Sequence, residues 1–169
     1  MATYVRFIAD GSIISRGIGL RTEGKPSHVE YVITYPSGEP YGTFGARFAG
    51  GVSYRPYGYC DPTWEEWYTF PGIEASFTEA LQMTGRKYDW RDIMELLVGW
   101  HPKGFDYDPQ RAVCDNLVGY SNRRAWALGK APALINPNVP TWQMTPQLLY
   151  GAVTQQVEIP KKETRTPGA

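Results

Sequence analysis

The chain has 169 residues, with 17 Lys+Arg balanced by 17 Asp+Glu, and a sequence pI of 6.7. That length fits one compact domain that buries roughly 70% of its unfolded surface, and the balanced charge supplies no basic field to grip nucleic acid or an anionic membrane. No stretch approaches the roughly 18 apolar residues of a membrane span. Residues 1–10 lack a basic segment followed by an apolar run, so no signal peptide is read and a cytoplasmic protein is the default expectation.

The first half reads as strands. Thr3 to Ala9 alternates weakly, and Ser12 to Ser15 is a short apolar piece after the Asp10-Gly11 turn signal. The clearest strand runs from His28 to Tyr35, rich in Val, Ile and Tyr, and stops at Pro36-Ser37-Gly38. Tyr41 to Arg47 and Val52 to Arg55 follow, with Gly50-Gly51 as a turn between them. In outline this is an antiparallel meander.

Helices then take over. Ile73, Phe77, Ala80 and Leu81 form one apolar stripe closed by Gly85. Asp89 can cap a second helix carrying Trp90, Ile93, Met94, Leu97 and Val98, closed by Gly99. A polar, aromatic loop from His101 to Asp108 leads past Pro109 into a third helix carrying Val113, Cys114, Leu117 and Val118. Ala131 to Pro146 holds four prolines and reads as a long surface connection. Thr145-Pro146 is an N-cap followed by proline at the first helical position, opening a short helix through Leu149. Ala152 to Ile159 reads as a returning strand. The organisation is thus a single domain over 1–159 with a polar, flexible tail over 160–169.

Cys114 and His28 are the residues equipped for chemistry. The thiol falls in the first turn of a helix, where orphan N–H groups and the helix dipole favour an anion. Asp115 and Asn116 follow it directly. An imidazole on a strand could serve as its base, and an imidazolium nearby would lower the thiol further. Against this stands the ordinary reading, in which a helical Cys is a small core hydrophobe. Glu30 shares a strand face with His28, but i and i+2 side chains stand roughly 6.5–7 Å apart, so Glu30 must reach along the strand to orient the ring. His101, in a Pro/Gly loop, is the rival base, and Cys60 reads as a loop thiol. Two Cys make no disulfide scaffold, and sequence leaves open whether Cys60 and Cys114 pair. No spacing resembles a zinc ligand pair. There is no phosphate loop and no nucleophile elbow, so neither a metal nor a cofactor is expected.

The order of motifs resembles a known family. Ser27-His28-Val29-Glu30-Tyr31-Val32-Ile33 comes first, then Gly50-Gly51-Val52, Gly85-Arg86-Lys87-Tyr88-Asp89, Cys114-Asp115-Asn116-Leu117-Val118 and Thr145-Pro146. This resembles the circularly permuted NlpC-type, papain-like cysteine peptidases and amidases of the YiiX-like kind. Lecithin:retinol acyltransferase-like enzymes share the layout. The resemblance covers roughly residues 12–149. It implies an α+β fold, an antiparallel sheet packed against helices in a permuted papain-like arrangement, with Cys114 as nucleophile and His28 as general base. Tyr88 matches an oxyanion or substrate contact, alongside the Cys114 N–H; Glu30 is named as a third catalytic group from its place on the His28 strand and not from the family pattern.

Two positions depart from the pattern. The family often has Cys-Ser-Glu where this chain has Cys114-Asp115-Asn116. The polar orienter expected one strand over falls near Gly45, so either Glu30, Thr43 or a backbone carbonyl substitutes, or the activity is reduced or lost. The implied reaction is acyl transfer to water through a thioester, on a peptide or amide substrate of the bacterial cell wall. Without a signal peptide, delivery would be by lysis, a secretion machine or a phage particle. Two alternatives stand beside it. One is a lipid or thioester acyl hydrolase or acyltransferase, marked by an apolar tunnel beside Cys114 lined by Trp90, Trp100 or Trp126. The other is a non-catalytic binding or structural module on the same scaffold.

Overall fold

A computed structural model describes residues 1–22, 24–98, 110–140 and 143–156. His101, Trp100, the 101–108 loop and the 160–169 tail lie outside the described residues.

Five strands form one antiparallel sheet: β1 (Ala2–Ala9), β2 (His28–Thr34), β3 (Pro40–Arg47), β4 (Gly51–Pro56) and β5 (Trp64–Tyr68). Their order is β4-β3-β2-β1-β5, so the expected meander is present and β5, not read from the sequence, adds the second edge. The Tyr4↔Val32, Arg6↔Glu30 and Ile8↔His28 partners of β1 and β2 fix which side chains share a face. All seven residues of β2 are buried, because both faces of this central strand are covered.

One face carries Val5, Phe7, Val29, Tyr31, Ile33, Phe44 and Ala46 into the main apolar core. Two helices close that face: α2 (Ile73–Leu81) and α4 (Cys114–Ala127), which contribute Ile73, Ala80, Leu117 and Val118. Each buried Val, Leu, Ile or Phe among them contributes on the order of 1.5–3 kcal/mol of transfer free energy. The Tyr31 hydroxyl shares a 2.7 Å hydrogen bond with Ser121 Oγ of α4, which satisfies a phenol the core would otherwise penalise. A short parallel pairing of β6 (Lys87–Tyr88) with β7 (Arg111–Ala112) leads directly into α4.

Two expectations are corrected. Residues 12–15 do not form a strand; they open α1 (Ile13–Thr22). The Ser12 hydroxyl accepts the Ser15 N–H at 3.1 Å and the Ser12 carbonyl accepts the Arg16 N–H at 2.9 Å. An N-cap bond outweighs the short apolar run. The third helix begins at Cys114, as its motif implied, with Val113 as the N-cap. Residues 152–156 continue α5 (Pro146–Gln156) instead of returning as a strand. The Thr145 cap itself is present, with Thr145 Oγ1 accepting the Leu148 N–H at 3.1 Å. The remaining helix, α3 (Trp90–Val98), lies beside α1. The 131–146 connection is pinned by Leu134 and Met144, 5% and 4% exposed, so it is not wholly a surface segment.

Candidate functional site

Strand alternation puts Glu30 on the face of β2 opposite the apolar core, where it is wholly buried. Four donors converge on it. Arg6 Nη1 donates to Oε1 at 3.0 Å, and Tyr59 OH donates to Oε2 at 2.8 Å. Arg47 Nη2 lies 3.5 Å and His28 Nε2 3.3 Å from the same Oε2. Arg6 also bridges to Glu65 Oε2 at 2.6 Å, and Tyr57 OH donates to Glu65. Burial alone would raise the Glu30 carboxyl; His28, Arg47 and Arg6 outweigh it and hold the group down at about 2. The carboxylate therefore does reach along the strand to His28. Sequence reasoning missed Arg6, Arg47 and Tyr59, whose only signal was that Arg6 sits mid-strand in an otherwise apolar segment.

The imidazole is 8% exposed. Burial and then the Arg47 charge push it down to about 4, against the favourable pull of Glu30. Cys114 is 2% exposed and opens α4 after the extended Val113. It belongs to the core cluster with Val29 and Tyr31, and the Val29 backbone, next in chain to His28, interacts with its sulfur. Burial first, then the neighbouring Asp115 carboxylate, push the thiol up to about 12. The helix terminus was expected to favour thiolate; desolvation outweighs it. At neutral pH both groups rest uncharged. Tyr88 pairs with Ala112, two residues before Cys114. Both cysteines are free thiols, so Cys60 and Cys114 are not paired; Cys60 instead lies 3.6 Å from Arg47 Nη2.

A cavity of about 290 Å³ opens beside His28, between α1 and α3. Ile14, Ile18, Trp90, Ile93 and Leu97 form its apolar side. Ser12, Ser15, Ser27, His28 and Arg47 form its polar end, and Tyr88 borders it. Ser15 and Ser27 share a 2.6 Å hydrogen bond that fixes this polar end. Trp90 lines this cavity, but Cys114 does not, so it is not the tunnel expected beside the thiol; Trp126 is 44% exposed and is not part of the wall.

No protein-family model matches the chain and no curated protein matches it. Among solved structures it is similar to the metalloprotein YiiX from Escherichia coli O157:H7 (DUF1105), with a TM-score of 0.57 and 18% identity over 98% of this chain and 96% of that one. The likeness is one of fold. It ties the chain to an α+β architecture, an antiparallel sheet packed against helices, loosely related to papain-like and NlpC-type proteins.

The comparison corrects the functional expectation. The similar structure is that of a metalloprotein, not a thiol protease, so the reading as a thiol peptidase or amidase acting on peptidoglycan does not stand. Among the described residues no metal site stands in its place: no group of three or more His, Cys, Asp or Glu is placed to hold an ion, and the Glu30 oxygens are already taken by guanidinium, phenol and imidazole. Among the same residues, no helix is long and apolar enough to cross a membrane.

Proposed function

We propose that this chain is a binding module on a permuted papain-like scaffold, holding a small amphipathic ligand in the cavity beside His28 without acyl transfer through Cys114. The permuted order rests on the His28 strand preceding the Cys114 helix. One observation carries the binding reading: a cavity of about 290 Å³ with an apolar side and a polar end of Ser12, Ser15, Ser27, His28 and Arg47, the Arg47 guanidinium lying 3.5 Å from the Glu30 carboxylate. Such a lining matches an acyl chain ending in a neutral amide or ester, with the chain between α1 and α3. His28, neutral, offers its ring to that polar end, and Tyr88 borders it. Glu30 is a positioning residue that fixes the ring from behind.

Titration with a medium-chain N-acyl amide, followed through the amide signals of Ile18 and Ile93, tests the reading. Saturable binding is expected, and Ile18→Trp, which fills the cavity, should weaken it by at least about tenfold, a change of about 1.4 kcal/mol. Absence of binding, or turnover of a matching thioester that Cys114→Ser abolishes, would overturn it.

A further inference from the structure

A second cavity lies at the far end of the sheet, on the core side beyond α2, and its lining differs in kind. It encloses about 710 Å³ among β1, β2, β3, β4 and α2, a volume within the range of small-molecule sites. Ile33 and Gly42 form its floor. A Cβ at position 42 would stand 2.9 Å from the Arg55 carbonyl of β4, so glycine lets the two strands approach there.

The walls are aromatic: Tyr41, Tyr54 and Phe77. The Tyr54 and Phe77 rings stand 6.4 Å apart at 84°, two walls of a corner. Tyr41 and Tyr54 are 53% and 52% exposed, leaving large ring surfaces uncovered. Burial and the neighbouring Tyr41 both raise the Tyr54 phenol, which keeps it a neutral hydrogen-bonding group.

One carboxylate borders this corner. Glu74, in the first turn of α2, accepts the Thr3 N–H at 3.0 Å and the Thr3 hydroxyl at 2.7 Å. Those bonds fix its direction without neutralising it, and among the described residues no cationic side chain pairs with it. Arg55 borders the cavity too, but its guanidinium is turned to the carbonyls of Ala49, Gly51, Gly45 and Ser53. Ring faces carry negative quadrupole charge and attract cations, most strongly those that shed water easily.

We infer that this corner binds a quaternary or methylated ammonium group, with Tyr41, Tyr54 and Phe77 around the cation and Glu74 as its counter-ion. A primary ammonium would need more hydrogen-bond acceptors than one carboxylate already holding Thr3 supplies. The site is separate from the cavity beside His28, and either assignment can fail without the other.

Titration of the whole chain with choline, and in parallel with its uncharged isostere 3,3-dimethylbutan-1-ol, tests the assignment through the amide signals of Gly42, Tyr54 and Phe77. Choline should bind about five- to thirtyfold more tightly than the alcohol, the span of one to a few aromatic–cation contacts. Glu74→Gln and Tyr54→Leu should each reduce that preference. Glu74 is exposed, so its variant keeps the test intact even if Tyr54→Leu loses its fold. Sedimentation with phosphatidylcholine vesicles, and not with phosphatidylglycerol vesicles, would assign the cation to a lipid headgroup; choline binding without sedimentation would assign a free solute. Equal affinity for the alcohol and choline, or no shift with either, overturns the inference.

Discussion

Gly45 is glycine because Glu30 lies against it. A Cβ at position 45 would stand 2.8 Å from the Glu30 Cβ and 3.1 Å from its Oε2, closer than real side chains pack. The position expected to carry a polar orienter on β3 is instead a vacancy that admits the carboxylate from β2. The side chain in contact with His28 is therefore Glu30 of β2, at 3.3 Å.

Gly45→Ala should therefore displace the carboxylate from its donors. A loss of about 1–3 kcal/mol in urea denaturation is expected, from overpacking at a buried site. The His28 titration should move in the same variant, because its contact to Glu30 is disturbed. Unchanged stability together with an unchanged His28 titration would show that β3 can yield and that the fit is not tight.

Arg6 and Glu30, 1% and 0% exposed, form the central ion pair of the network. Arg6→Met would remove the guanidinium that Glu30 and Glu65 share. Removing one member of a buried pair typically costs about 3–5 kcal/mol. The double variant Arg6→Met with Glu30→Gln should lose less than the sum of the two single changes, a coupling that a thermodynamic cycle reads directly. Strict additivity would mean that Arg6 and Glu30 are not coupled.

Stability should decline on both sides of neutrality. His28 is lowered to about 4 from 6.5 and Glu30 to about 2 from 4.5, so below those ordinary values the unfolded chain binds protons that the folded one refuses. Each contribution is complete above the unfolded value and drains as pH falls toward the folded value. Cys114, raised to about 12 from 9.0, does the reverse: its contribution is complete below pH 9 and drains above it. Urea midpoints should be level from about pH 6.5 to 9, fall below 6.5, steepen below about 4.5, and fall again above 9. His28→Gln should remove most of the decline between 6.5 and 4.5. A midpoint that rises as pH falls through that window would contradict the neutral, buried imidazole.

Thiol reactivity separates the two cysteines. Cys60 is half-buried beside Arg47, whereas Cys114 is 2% exposed and held protonated. With iodoacetamide at pH 7, Cys114 should react at least about tenfold more slowly than Cys60, since only thiolate attacks. In urea the two rates should converge. Rapid alkylation of native Cys114 would restore the thiolate expected from its place at a helix start.

The sequence determined the framework by itself. Period-two alternation and turn residues placed β1 to β4, the apolar stripe from Ile73 placed α2, Asp89 marked the start of α3, and Thr145-Pro146 marked α5. These are local signals: each depends on neighbours within a few residues, and no distant packing was needed to read them. His28 and Glu30 were identifiable as one face of a strand for the same reason. Other features were decided only by the tertiary structure. Whether residues 12–15 became strand or helix turned on the Ser12 cap, and β5 formed because β1 offered it a free edge. Above all, the charge state of the thiol and imidazole was out of reach of the sequence. A helix terminus and a nearby base are visible as motifs, but the burial that pushes Cys114 up and His28 down, and the Arg6 and Arg47 guanidiniums that hold Glu30 ionised, arise from strands and loops 17 to 29 residues away along the chain. Desolvation is a property of the packed whole, and it decided that these groups rest neutral.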